Sequence, residues 1–312
     1  MKIFVVIVTY NGSTWIRLAL DSLRSSTAPC TAIVVDNASS DNTVDIVRSE
    51  YAEAVLLPQR ENTGFGIGNN VGISHALRAQ ADFVFLLNQD AYVTPSALGE
   101  LAAFLRDHPA YGLVSPLHCS PDLNTLDPQT QGRYLQGYAP QYLSDACLGR
   151  VQPHYDIAGI NAAAWMVRAA AFRSAGGFDP LFFMYGEDDD LIARMNALGQ
   201  KFALLPASRI VHLRAKSPRS KVGLPREIWA LSERARASLL LDAKLPGGSF
   251  IGKAIRLLVS GVGLPMLQAL VTHNWKEALA YPVATVRILL QLRSIATSAR
   301  RCATAGPHYL DI

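Results

Sequence analysis

Short apolar runs alternate with helix-spaced segments from residue 2 to about residue 118, and few architectures accommodate that rhythm. The runs lie at 3–9, 32–36, 55–58, 83–88 and 112–117. Between them, residues 14–25, 42–50, 67–79 and 95–106 repeat their apolar positions near every 3.6 residues. Strands that are apolar throughout are covered on both faces, and the intervening helices supply the cover. The expected fold class is therefore α/β with a mostly parallel central sheet. Thr94-Pro95 predicts a helix start, with Thr as N-cap and Pro at the first helical position. Ligands of such sheets gather beyond the carboxyl ends of the strands. Thr9-Tyr10-Asn11, Asp36-Asn37 and Asn88-Gln89-Asp90 all fall at that edge.

Residues 119–156 are nearly aperiodic and read as a long loop or lid. A second block over 157–213 predicts a strand at 159–168, a turn at Gly176-Gly177, a helix at 188–198 and a strand at 202–213. From about 224 the chain reads as helical over 226–243, 250–272 and 276–300, punctuated by Pro246-Gly247-Gly248 and Pro282.

Charge divides along the same line. Residues 213–312 carry 15 Lys+Arg against 5 Asp+Glu, whereas the first 212 residues carry 14 against 20. The basic residues of the tail are interleaved with apolar runs, as in Lys253, Arg256, Lys276, Arg287 and Arg293. That pattern favours an anionic membrane surface over nucleic acid, with a helical subdomain or subunit contact in an oligomer as the alternative use. No run reaches the ~18–20 apolar residues of a clear spanning helix, and the first residues do not read as a signal peptide. Cys30, Cys119, Cys147 and Cys302 show no CxxC spacing and read as reduced thiols, which fits a cytoplasmic protein attached peripherally to the inner face of the membrane.

The acidic segments carry the chemistry. Asp36 at a strand end suits a base or ribose donor, whereas Asp41 suits a turn and helix cap. Asn62-Thr-Gly64-Phe65-Gly66-Ile-Gly68-Asn69-Asn70 departs from the dinucleotide fingerprint. Its glycines serve either close approach to a phosphate or base, or a tight turn that opens a helix. Asp90 follows the wholly apolar Phe-Val-Phe-Leu-Leu, where a carboxylate needs a cation or solvent; Mg²⁺ or Mn²⁺ fits. Glu187-Asp188-Asp189-Asp190 open a helix, and its dipole accounts for about two of them. Adjacent carboxylates repel, so a cation or a raised pKa is expected, and one suits a general base. His212 ends a strand and is a candidate metal ligand.

Five segments stand together in one order: Val8-Thr9-Tyr10-Asn11, Val35-Asp36-Asn37-Ala38-Ser39, Asn62 to Asn70, Asn88-Gln89-Asp90, and Gly176-Gly-Phe-Asp179 with Glu187-Asp188-x-Asp190-Leu191. The set resembles an inverting family 2 glycosyltransferase of the GT-A fold, most similar to the bacterial rhamnosyltransferase group. The resemblance spans residues 3 to 215 and implies a nucleotide-diphospho-sugar donor, a Mg²⁺ or Mn²⁺ ion and single displacement at the anomeric carbon. It implies that Asp188 is the base, that Glu187 orients the acceptor, and that Asp90 and His212 hold the metal. Thr9, Tyr10, Asn11, Asp36, Asn37, Asn62, Gly64, Phe65, Asn69, Asn70, Asn88 and Gln89 would border the nucleotide-sugar. Asn88 stands where many members carry Asp, which leaves fewer charges on the metal. The implied organisation is a catalytic domain over 1–222, with a nucleotide half at 1–118 and an acceptor half at 157–215, followed by amphipathic helices over 223–312. The implied activity moves a sugar, L-rhamnose from dTDP-rhamnose in the nearest group, to a saccharide or polyprenyl-linked acceptor of a bacterial surface polysaccharide. UDP-hexose or UDP-galactofuranose donors are the alternative, and a silent nucleotide-sugar-binding protein the rival of another class.

Overall fold

The computed structural model describes residues 1–214, 224–244 and 250–312. Its strands are β1 Ile3–Thr9, β2 Thr31–Asp36, β3 Val55–Pro58, β4 Phe83–Leu87, β5 Ala91–Val93, β6 Tyr111–Cys119, β7 Tyr155–Asp156, β8 Ala164–Arg168 and β9 Lys201–His212. The first helices are α1 Ile16–Arg24, α2 Thr43–Glu50, α3 Phe65–Arg78 and α4 Ala97–Asp107. Then come α5 Gln136–Tyr138, α6 Pro140–Cys147, α7 Ala169–Ala175 and α8 Glu187–Ala197. The last are α9 Leu224–Lys244, α10 Phe250–Leu258, α11 Leu264–Thr272, α12 Trp275–Leu290 and α13 Leu292–Arg301.

All nine strands form one sheet in the order β3-β2-β1-β4-β8-β6-β9-β5, with β7 also on β9. Pairing is parallel from β3 to β4 and between β6 and β9. Antiparallel β8 sits between β4 and β6, so β1, β2, β3, β4, β6 and β9 all run one way. Successive residues face opposite layers, as the period of two requires. Val6, Ile33, Val84 and Leu86 face the layer with α3 (Ile73, Leu77). Val5, Ile7, Val34 and Phe85 face α1 and α4 (Ile16, Leu20, Leu101). Each large side chain so buried stabilises the fold by about 1.5–3 kcal/mol.

A third apolar cluster, with Phe182, Leu239, Leu240, Ile288 and Ile295, joins α9, α12 and α13 to the segment before α8. The chain end is strapped to the same side: Gly177 N donates to His308 O at 2.7 Å and Asp311 N to Ser74 Oγ at 3.0 Å.

Three local expectations are corrected. Helix α4 starts at Ala97 with Ser96 at its cap position; Thr94 is held by β9 instead, its N–H and hydroxyl both donating to Arg209 O. Residues 119–156 are not featureless, because π-helical Thr130–Leu135 and helices α5 and α6 occupy 130–147. Leu135, Ala139 and Tyr142 bury their side chains in the main core at helical spacing, but they are the few apolar anchors of a stretch rich in Gln, Tyr, Pro and Asp, which hides the period. The strand expected at 159–168 is confined to Ala164–Arg168; ahead of it the backbone makes single bonds to its neighbours, Ile157 N to Phe202 O and Asn88 N to Ala163 O, each at 3.0 Å. Pro246-Gly247-Gly248 lie outside the described residues, and α12 runs through Pro282.

Candidate active site at the strand ends

Gln89 ties two strand ends together. Its Oε1 accepts from Thr9 Oγ1 at 2.6 Å and from Tyr10 N at 3.1 Å, and its Nε2 donates to Tyr10 O at 3.4 Å. A Cβ at Gly12 would stand 2.2 Å from Thr9 Oγ1 and 2.4 Å from Gln89 Oε1, so only glycine leaves this bracket intact. Asn11 adopts φ 49°, and Ser40 N donates to its Oδ1 at 2.8 Å. Asp41 takes the structural role: it accepts from Ser13 N and from Thr43. Burial opposes its charge, but the bonds from Thr43 and Ser13 outweigh burial and hold its pKa at about 2.

Asp36 is different. Its Oδ2 accepts from Ser39 N at 3.0 Å, whereas its buried Oδ1 has no hydrogen-bond partner among the described residues. Such an orphan calls for an explanation, and at a strand end a ligand hydrogen bond would supply one.

The glycine-rich segment resolves to the tight turn. Gly64 holds φ 88°, with its Cβ direction 2.3 Å from Phe183 O, and Asn62 Oδ1 accepts from Gly64 N at 3.0 Å. The Cβ directions of Gly66, Gly68 and Gly72 meet Phe178, Val8 and Val6, so these glycines let α3 press onto protein rather than onto a ligand. Asn37 Nδ2 donates to Gly64 O at 2.9 Å, and Asn69 Nδ2 to Phe65 O at 2.9 Å. Asn70 pairs both ends of its amide with Phe178, Nδ2 to O and Oδ1 from N, each at 2.7 Å. Phe65 packs edge-on against the Phe178 ring at 5.9 Å. These residues shape the crevice by holding its walls together.

At the far strands, His212 Nε2 lies 3.3 Å from Asp90 Oδ1 and 3.5 Å from Asn88 Nδ2. The register of β5 on β9 causes this, since Ala91 pairs directly with His212. Asn88 Oδ1 is buried without a partner among the described residues. One carboxylate, one imidazole and one unused amide oxygen suit a divalent cation whose shell is completed by substrate oxygens. No group of three His, Cys, Asp or Glu among the described residues would hold such an ion alone.

The four acids divide by partner. Asp190 bonds Arg194 Nε at 2.9 Å and the Lys244 ammonium. Lys244 also bonds Asp179 at 2.5 Å, and all three are buried. This clamp joins α8 to the end of α9. Burial opposes the Asp179 charge, and Lys244 reverses that and holds its pKa low. Among the described residues Glu187 and Asp188 have no such cation. Burial, then Asp188, push Glu187 up to about 8, and its Oε2 has no partner among the described residues. Burial, then Asp189, push Asp188 up to about 6. The Ala162 N–H faces the Asp188 carboxyl and counters part of that rise, and the next residue, Ala163, accepts from Asn88 N at 3.0 Å. The poised carboxyl is therefore set beside the strand end that bears Asn88 and Asp90.

Three neighbours were not singled out from sequence. Arg214 bonds buried Asp127 through Nε and a second nitrogen, at 2.5 and 2.7 Å. Its place two residues after His212 was the only available signal. His118 lies 6.3 Å from the His212 ring, and burial, then His212, pull it down to about 3, so it is neutral. Lys244 meets its carboxylates 54 and 65 residues away, which no local pattern reveals. The four cysteines are free thiols.

Comparison with known proteins bears on the family and the fold. The chain is 27% identical over 234 residues to N-acetylglucosaminyl-diphospho-decaprenol L-rhamnosyltransferase of Mycobacterium tuberculosis, covering 68% of this chain and 76% of that protein. It is 33% identical over 126 residues to galactofuranosyltransferase GlfT1 of the same species, covering 39% and 41%. The fold superposes on Staphylococcus aureus TarS 1–349 with TM-score 0.53 at 16% identity, covering 96% and 89%. It superposes on mannosyltransferase PcManGT of Pyrobaculum calidifontis, solved with GDP-Man and Mn²⁺, with TM-score 0.56 at 19% identity, covering 92% and 86%. The architecture is the α/β GT-A fold of glycosyltransferases. Residues 4–172, more than half of the chain, match glycosyl transferase family 2, and the chain belongs to that family.

Proposed function

We propose that this glycosyltransferase inverts the anomeric centre of a nucleotide-diphospho-sugar in one displacement, with L-rhamnose from dTDP-rhamnose as donor sugar and a lipid-linked saccharide as acceptor. The observation that carries the reading is Asp188, a carboxyl with pKa near 6 set one residue from the segment that anchors Asn88. A base of that strength removes a hydroxyl proton at neutral pH as the bond forms. The acceptor oxygen bonds to the anomeric carbon, its proton passes to Asp188, and the bond to the diphosphate breaks with its electron pair leaving on phosphate. Glu187, protonated at neutral pH, donates a hydrogen bond that orients the acceptor. Asp36 receives the base through its open Oδ1, and the Gln89 bracket on Thr9 and Tyr10 fixes the strand ends around the nucleotide. Asp90, His212 and Asn88 Oδ1 would hold Mn²⁺ or Mg²⁺, and the bound ion supplies charge neutralisation to the departing diphosphate. The same donor set and crevice serve the alternative UDP-galactofuranose or UDP-hexose donors.

The choice of L-rhamnose rests on the Mycobacterium tuberculosis relative, whose match covers 68% of this chain. The nucleotide half sits over 1–118 and the acceptor half over 157–215, with the helices after 223 placing the protein on the inner membrane surface. Calorimetric titration of dTDP and of UDP, each with and without Mn²⁺, tests the reading. Metal-dependent binding of dTDP supports it, tighter binding of UDP transfers it to the alternative donors, and failure of both to bind folded protein overturns it.

A further inference from the structure

A cleft of about 580 Å³ opens on the far side of the acid loop, between residues 180–185 and helices α9 and α12. Its apolar wall is made by Phe183, Met184, Tyr185 and Trp229, each large and exposed. Among the described residues, Arg234, Arg236 and Arg287 line it with a single carboxylate, Glu233. Arg287 bonds Glu233 and lies 4.2 Å over the Trp229 ring, and Arg234 lies 5.2 Å over the Tyr185 ring. Arg236 is only 6% exposed, and its Nε has no hydrogen-bond partner among the described residues. Burial, then Arg287, weaken the charged form of Arg236, a cost that an anion in the cleft would remove.

The charge balance of three guanidiniums against one carboxylate matches a diphosphate diester, and arginine forks suit phosphate oxygens. The apolar wall suits a hydrocarbon chain attached to it. On α12, Val283 and Leu290 lie four residues before and three after Arg287, hence on its face, and both are exposed. Tyr185 is separated from Glu187 only by Gly186, whose left-handed φ of 81° turns the chain into α8. The cleft wall therefore runs directly into the acid run along the chain.

We propose that this cleft binds the diphosphate and the first isoprene units of a lipid-linked acceptor. The proposal rests on the glycosyltransferase reading and names its acceptor class.

Titration of farnesyl diphosphate into the full chain, with inorganic pyrophosphate and farnesol as controls, tests it. Farnesyl diphosphate should bind about tenfold more tightly than either control, and R234E and W229A should each weaken it by about fivefold or more. Both substitutions fall on exposed side chains, and dTDP or UDP titration of the same variants verifies the fold. No binding of farnesyl diphosphate, binding displaced by nucleoside diphosphate, or binding unchanged in both variants would overturn the cleft assignment. Nucleotide binding without farnesyl diphosphate binding sinks the cleft and leaves the transferase reading standing; the reverse pattern sinks the donor assignment instead.

Discussion

At the strand ends, Asp36 Oδ1, Asn88 Oδ1 and His212 Nδ1 are buried with no hydrogen-bond partner among the described residues. Along α10 to α12, Ile255, Leu267, Val271 and Leu290 stand in solvent, the last 82% exposed. The crevice leaves polar groups unsatisfied within a well-packed interior; the helices leave apolar surface uncovered on an otherwise ordinary exterior. Each is the complement of a different ligand. Orphaned buried acceptors and donors suit a polar small molecule or ion. A contiguous apolar face with basic neighbours suits a lipid surface or a protein partner. Among the described residues no helix is long and apolar enough to cross a membrane, so a lipid contact by these helices would be lateral.

The contrast can be broken at its joint first. Lys244 lies between the two regions, and K244M would leave Asp179 and Asp190 buried without their shared cation. The expected loss is about 3–5 kcal/mol, read as a lowered denaturation midpoint; an unchanged midpoint would show that the helices are not bolted to the crevice through this residue. Within the crevice, D188N should reduce turnover by about 10²–10⁴-fold with nucleotide affinity nearly unchanged. A near-normal rate would remove Asp188 as base. In the native enzyme, log(kcat/KM) should rise with pH up to about 6 and then flatten, because the carboxyl must be ionised to accept a proton. Stability runs the other way, because Asp188 and Glu187 both sit above the ordinary carboxylate range. Their contribution favours the fold at low pH and is lost as pH rises through about 6 and about 8.

Smaller effects separate the ligands themselves. H212A should weaken metal-dependent nucleotide binding by about 10–100-fold while leaving metal-free binding alone; an identical metal requirement would leave His212 with only a packing role. L290E should lower co-sedimentation with anionic vesicles by a few fold, about what one charge costs at an interface. Equal sedimentation would point the apolar face toward a protein partner.

The two regions also differ in how far their sequence could be read. Strands β1 and β3 occupy the residues expected for them because a strand covered on both faces must be apolar throughout. The strand-end rule placed Thr9, Asp36 and Asp90 on the same edge for the same reason. Strand β5 has three residues and no room to show a period. The α6 region packs through isolated aromatics such as Tyr142, so it read as loop. The acid run shows a subtler difficulty. Four adjacent carboxylates look alike in sequence, and it is the cations Arg194 and Lys244 that separate Asp190, a brace, from Asp188, which keeps a raised pKa. Asn37, Asn69 and Asn70 look like ligand amides but bond backbone, a choice made by geometry that spans up to 108 residues. Along the tail, alternating charge and apolar residues announced amphipathic helices but could not say which faces remain open.

Strand β8 lies between β4 and β6, although it is made long after β4. During synthesis, Phe83-Val-Phe-Leu-Leu87 therefore emerges with one edge paired to β1 and the other bare until residues 164–168 arrive. At roughly 5–20 residues per second that interval lasts several seconds, with an apolar strand edge open to any neighbouring nascent chain. The position that buries every residue of β4 in the finished enzyme leaves one of its edges waiting on the ribosome.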